Sequence, residues 1–246
     1  SRTIGGILGI FALLRPRNII RIDLKEGFSI NLELLCRIFK IGLPAAMEQV
    51  VMQGGFLVLQ VVIAGMGTVA IAVYQIGMSI NSISYIPVWG FGIAATTLIG
   101  QGLGARKPEL AEKCGWETLK ISLAVSVLLT SLIFIFSRQL ISVYSNDPEV
   151  IKIGSDAIRI FSLSQPFLTV VVVFSGALRG AGDILYVMIT SFIGIWMFRI
   201  FLTALLSRFF GFGAMGVWVA ICFDFFIRAA MYIARFKRGR WKEITV

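Results

Sequence analysis

The 246-residue chain carries a net charge of +10, yet only 15% of its residues are charged, 57% are hydrophobic and the mean hydropathy is +0.88. An ordinary soluble domain is about one quarter charged, so this composition excludes one and points to a polytopic membrane protein. There is no histidine, which excludes a histidine-based general base or metal centre, and Cys36, Cys114 and Cys222 are too widely spaced for a zinc motif and odd in number for a closed disulfide set.

The chain opens with SRTIGGILGIFALLRP. This stretch is too short to span alone and lacks the basic start and cleavage site of a signal peptide. Residues 1–14 therefore read as the end of a preceding transmembrane helix, and 15–40 as a cytoplasmic linker. A six-helix transmembrane bundle is expected over 41–234 and a basic cytoplasmic tail over 235–246. Six stretches approach the roughly 20 apolar residues that cross a hydrocarbon core. They run at about Ile41–Met66, Val69–Ile99, Leu119–Phe136, Ile158–Leu178, Ile184–Leu206 and Ala214–Ala234. In lipid the backbone must satisfy its own hydrogen bonds, so all six are expected to be helices and the fold class all-α.

Charge sets an expected orientation. Arg15, Arg17, Arg21, Lys25, Arg37 and Lys40 precede the first span, Arg106, Lys107 and Lys113 follow the second, and Arg179 follows the fourth. With the basic tail they fall on one side, and the other side offers mainly Arg138, Lys152 and Arg208. Basic residues collect in the cytoplasm, so the basic side and tail are expected inside a cell membrane. The positive charge is then a topology signal and an attraction to anionic membrane lipids, and no nucleic-acid partner is expected.

The first span carries polar residues that lipid would not accept. Gln49, Gln53 and Gln60 fall within about 40° of one another on a helical wheel, with Glu48 about 100° to one side of Gln49. An amide facing lipid leaves donors and acceptors unpaired, so this stripe is expected to face protein or a wet cavity. Glu48 lies ~10 Å in from Ile41, a depth at which a proton or a cation can compete for the carboxylate. The bland alternative is that Glu48 snorkels to the interface or bonds a neighbouring helix.

The second span has a stripe of its own, Tyr74, Met78, Asn81 and Tyr85, at i, i+4, i+7 and i+11. Aromatic faces attract organic cations by about 0.5–2 kcal/mol each. The alternative is ordinary helix–helix packing, which is the preferred reading for Met78 alone. Pro44, Pro87 and Pro166 each free a backbone carbonyl, and Gln165 precedes Pro166 beside Ser162, Ser164 and Thr169. Broken helices near polar groups mark transporter binding regions, or are merely tolerated kinks.

Between the third and fourth spans, Asn146–Pro148 signals a turn or a helix start. Gly100–Lys113, GQGLGARKPELAEK, lacks the strand and the lysine–serine/threonine ending of a phosphate loop, and reads as a helix end and tight turn. In the sixth span Asp224 and Arg228 are i and i+4 with the acid first, the favourable order. Near mid-membrane they should pair with each other or reach Arg199 of the fifth span, as structural glue or as part of an ion path.

Several motifs occur together: IGLPAAMEQ in the first span, YQIGMSINSISYIPVWGFGIAATTLIGQGLGA in the second, SQPF…SGALRGAGD ending the fourth, WMFRI in the fifth and GVWVAICFDFFIRAAMY in the sixth. In combination they resemble the multidrug and toxic compound extrusion (MATE) antiporters over nearly the whole chain. The resemblance implies two six-helix lobes facing each other across a central cavity, exchanging an organic cation outward for an inward proton or sodium ion. This chain is similar to the second lobe, so an N-terminal six-helix lobe is the implied partner. By resemblance Glu48 falls where that lobe's acidic residue is expected, and Gln49, Gln53, Asn81 and Gln165 fall on helices that line the cavity.

The expected function is thus an export antiporter for amphipathic organic cations. Glu48 and Asp224 are the candidate ion-coupling residues, and Gln49, Gln53, Tyr74, Asn81 and Gln165 the candidate substrate contacts. No cofactor is expected beyond the coupling ion. The rival readings are a membrane half-subunit that assembles without transporting, and a lipid or polysaccharide flippase of similar architecture, which is expected to carry more basic residues in its cavity. An intramembrane enzyme is disfavoured, because there is no Ser–Lys or paired-carboxylate motif at catalytic spacing.

Overall fold

The structure, a computed structural model, describes residues 32–243. The expected end of a preceding helix at 1–14 and most of the 15–40 linker lie outside the described residues. The chain divides into two compact units, Ser1–Lys40 and Ile41–Val246. Among the described residues every regular element is helical.

Helix α1 is Leu32–Ala64, α2 Thr68–Gly104 and α3 Pro108–Ile135. A short α4, Ser137–Ser142, precedes α5, Pro148–Gly180. The fifth span joins α6, Ile184–Phe192, to a π-helical stretch Ile193–Ile200, a single turn α7, Phe201–Ala204, and a second π stretch Leu205–Phe209. Helix α8, Gly213–Lys237, is followed by a 3₁₀ turn, Arg240–Glu243. Among the described residues six helices are long and apolar enough to cross a membrane, and the protein is a multi-pass protein of the cell membrane.

The helices outrun the spans read from hydropathy. Helix α3 begins at Pro108 rather than Leu119, because its first turns carry Glu109, Glu112, Lys113 and Glu117. Those residues lower hydropathy without opposing a helix. The Asn146–Pro148 signal becomes a true cap: the Asp147 carboxylate accepts from the Glu149 amide at 2.9 Å, and Pro148 opens α5.

Helix α5 is the axle of the bundle. An unbroken run from Leu168 to Leu178 is buried, because α2, α3 and α8 all pack against it. The α2–α5 crossing is made close by glycine. A Cβ on Gly176 would strike the carbonyl oxygen of Gly92, and one on Gly180 the carbonyl of Thr96. The Thr96 hydroxyl donates across this seam to the Gly176 carbonyl at 2.9 Å. Small residues that let backbones approach are how helices associate where lipid removes the hydrophobic drive. Elsewhere the outer faces are apolar: Leu57, Val61, Leu128 and Phe201 are all exposed, as a lipid-facing surface requires.

The tail returns to the bundle. Trp241 is fully buried, stacked on Phe236 at 4.8 Å between ring centres, and Phe236 stacks on Phe174 of α5 at 4.5 Å. Arg235 pairs with Asp183 at 2.7 Å and Lys242 with Glu112 at 2.5 Å.

Candidate functional site

Helices α1 and α2 splay to leave a groove of about 540 Å³. Gln49, Met52, Gln53 and Phe56 of α1 form one wall, and Met78, Asn81, Tyr85, Ile86 and Trp89 of α2 the other. The periodicity that put the amides on one stripe of α1 therefore brings Gln49 and Gln53 to this wall. Gln60, two turns further on, is exposed and lines neither cavity. Asn81 turns its amide back to the Gly77 carbonyl at 2.7 Å, leaving its side-chain oxygen unbonded.

A second, deeper cavity of about 240 Å³ adjoins the groove and shares Gln49, Met52, Phe56, Tyr85 and Trp89 with it. It reaches inward between α1, α2, α5, the fifth span and α8, and Glu48, Arg179, Arg199, Arg228 and Tyr232 line it.

Glu48 is buried and meets Arg179 of α5 in a two-pronged fork. Arg179 Nη2 donates to Oε1 at 2.6 Å and its Nε to Oε2 at 3.2 Å. Two parallel charge-assisted bonds make this the strong form of a carboxylate contact. Arg179 was read from sequence as a charge of the loop, and its role as partner of Glu48 was missed. Both residues belong to the same expected membrane side, but nothing local says that α1 and α5 bring them together.

Asp224 is fully buried between two arginines. Arg228, one turn along α8, places Nε 2.7 Å from Oδ1 and donates from Nη2 to Oδ2 at 2.9 Å. Arg199 of the fifth span donates from Nη2 to the same Oδ2. Arg199 reaches it from the π stretch, where Gly194 packs so tightly that a Cβ would strike Asp224 Oδ1 and Arg228 Cδ. The wider turn of a π segment shifts the register of everything beyond it, and such segments favour functional sites. Both guanidinium groups lie over the Phe225 ring, 5.0 Å from its centre for Arg199 and 5.4 Å for Arg228.

Two candidates sit apart from these cavities. Tyr74 packs in the core with its ring 5.9 Å from that of Trp218, so the stripe of α2 divides: Met78, Asn81 and Tyr85 line the groove and Tyr74 does not. Gln165 is buried within the bundle, with neither side-chain amide atom hydrogen-bonded and neither cavity reached. Its neighbour Thr169 bonds Ser126 of α3 at 2.8 Å, so this polar face of α5 turns toward α3. The wheel gives the angle of a residue on its own helix, not which neighbour covers that angle.

The fold and cavities define a polytopic helical membrane lobe with an amphipathic groove opening onto a charged interior pocket. The MatE family model matches residues 44–205. The chain is 32% identical over 212 residues to "Probable multidrug resistance protein NorM" of Thermotoga maritima, covering 85% of this chain and 45% of that protein. It is 28% identical over 242 residues to "Uncharacterized transporter YisQ" of Bacillus subtilis, covering 96% of this chain and 52% of that one. A solved outward-facing multidrug resistance MATE transporter superposes with a TM-score of 0.85 at 20% identity, over 97% of this chain and 53% of that chain. The chain belongs to the MatE family. It spans about half the length of the curated relatives it matches.

Proposed function

We propose that this chain forms the second lobe of a secondary active antiporter that exports amphipathic organic cations in exchange for protons or sodium ions. It is a transporter part and not an enzyme, and an N-terminal six-helix lobe supplies the facing wall of the cavity. The groove suits such cargo: aromatic and thioether side chains offer adaptable apolar contact, and the amides of Gln49, Gln53 and Asn81 offer neutral hydrogen bonds.

The observation that carries this reading is the buried fork of Glu48 on Arg179 at the edge of the cargo cavity. A proton or a sodium ion on Glu48 competes directly with the guanidinium. Binding it releases Arg179 and alters the contact between α1 and α5. Ion and cargo need not share one spot; they need only favour opposite-facing conformations. Asp224, already held by two arginines, serves in this reading as the fixed point against which the fifth and sixth spans are set.

In cells making the complete transporter, Glu48→Gln abolishes drug resistance while membrane expression stays normal. Vesicle uptake of a fluorescent cation under separate proton and sodium gradients identifies the driving ion. Undiminished export by the variant defeats the assignment of Glu48.

A further inference from the structure

A third cavity lies apart from the other two. It is a crevice of about 380 Å³ between the last turns of α3 and the middle of α5, and it shares no lining residue with the groove or the deep pocket. Val127 and Phe134 of α3 face Leu163 and Pro166 of α5 across it. Leu163 is exposed, as is Leu128 beside Val127, so the crevice opens where the bundle meets acyl chains.

Two hydroxyl groups are out of place in an apolar crevice of that kind. Thr130 is 8% and Ser162 2% exposed, and neither side-chain oxygen has a hydrogen-bond partner. Ser131, at the edge, instead bonds the Val127 carbonyl at 2.7 Å. A buried hydroxyl left unpaired is costly, and Thr130 and Ser162 both border the crevice. Rotation about one side-chain bond presents each O–H to an occupant that carries an acceptor.

The rim supplies charge of both signs. Arg159 lies one turn before Ser162 on the same face of α5, about 4.5 Å along the helix axis. Its guanidinium sits 6.0 Å from the centre of the Phe134 ring, and its Nε donates to Ser137 Oγ at 3.2 Å. Asp156, a further turn out, has Oδ1 3.8 Å from Arg159 Nη1, too far for a hydrogen bond, and both side chains are about half exposed. A cation and an anion therefore stand side by side above the crevice, each with bonding capacity left over.

We infer that this crevice is a site for a phospholipid with an ethanolamine headgroup. The phosphate meets Arg159 and the neighbouring ammonium meets Asp156. The ester carbonyls accept from Ser162 and Thr130, and one acyl chain lies along Leu163, Pro166 and Val127. Charge-assisted hydrogen bonds select the headgroup. A primary ammonium brings three N–H donors to the carboxylate, a choline group brings none, and a glycerol headgroup brings no positive charge. The site stands independently of cargo and driving ion.

The test is native mass spectrometry of the full-length protein, delipidated in detergent and then mixed with equal amounts of phosphatidylethanolamine, phosphatidylcholine and phosphatidylglycerol of the same acyl chains. The ethanolamine lipid is expected to be bound at least about fivefold over either other lipid, a margin that charge-assisted contacts readily supply. Asp156→Asn, at an exposed position, is expected to turn the preference toward phosphatidylglycerol. Arg159→Gln is expected to bring the ethanolamine lipid down to the level of phosphatidylcholine. Thr130→Val is expected to weaken the ethanolamine and choline lipids alike, because both carry the ester carbonyls. The comparison on the unaltered protein and on Asp156→Asn stands should Arg159→Gln fail to fold. Equal binding of all three lipids to the unaltered protein means a crevice filled by any passing chain, and overturns the site. A preference for phosphatidylglycerol in the unaltered protein overturns the part given to Asp156 and with it the ethanolamine assignment. An ethanolamine preference that persists in Asp156→Asn places the headgroup elsewhere and overturns it too.

Discussion

At the scale of single residues, the interior is organised by charge that has nowhere else to go. A lone charge in a low-dielectric interior is very unfavourable, and a pair is tolerable only with good geometry and full hydrogen bonding. Asp224 is held by both arginines: Arg199 and Arg228 donate to its Oδ2, and Arg228 Nε lies 2.7 Å from its Oδ1. Asp224→Asn leaves two buried guanidinium groups facing a neutral amide. The expected cost is about 3–5 kcal/mol of stability, the range for breaking a buried pair by removing one partner. A shift in thermal unfolding of the detergent-solubilised protein checks this, and an unshifted transition shows that Asp224 is not the anchor. Glu48 is a different case, because its partner Arg179 is about one third exposed. Solvent screens a pair of that kind more strongly, so it is the easier of the two to open.

At the scale of elements, the decisive features are the places where helices come unusually close. The α2–α5 seam depends on Gly92, Gly176 and Gly180, and the atoms a Cβ would strike first at Gly176 and Gly180 are backbone atoms that cannot rotate away. Gly176→Ala is therefore expected to push the helices apart and destabilise the bundle by about 1–3 kcal/mol, the usual cost of overpacking. Unfolding in denaturing detergent measures it. A variant as stable as the parent shows that the seam can widen freely. The π stretch of the fifth span is the second such place. An ordinary α-helical register over Ile193–Ile200 would point Arg199 and Gly194 at different angles to α8. Their joint approach to Asp224 is thus a property of the irregular turn.

At the scale of the whole molecule, the bundle is held from one end by its own tail. Trp241, Phe236 and Phe174 form a continuous aromatic stack, with Trp116 edge-on to both phenylalanines. The stack ties the last turn, α8, α5 and α3 together. Trp241→Ala is expected to lose about 3–5 kcal/mol, as for other buried large aromatics. It is also expected to expose the chain after Lys237 to protease. Unchanged melting and unchanged protease resistance show that the tail is carried and not structural. The segment read from sequence as a basic tail thus contributes core, because a single tryptophan among charges leaves no periodic signal.

Much of this protein was legible in the order of its residues. Hydropathy over about 20 residues marks a membrane crossing without reference to any neighbour, and the six spans were readable for that reason. The Asp224–Arg228 contact was readable because i and i+4 meet on any α-helix. Gln49 and Gln53 shared a stripe for the same local reason. What was not legible depends on which helices touch. Glu48 and Arg179 lie 131 positions apart, and only the packing of α1 near α5 makes them a fork. Arg199 turns to Asp224 because a π segment and a glycine set its register. Tyr74 and Gln165 were placed correctly on their helices, and tertiary packing then turned them into the core. Span, depth and helix face are local quantities that a sequence determines alone. The identity of the neighbour across that face is set by close packing of small residues between helices, which carries no hydropathy of its own, and so only the tertiary structure decided where the charges meet.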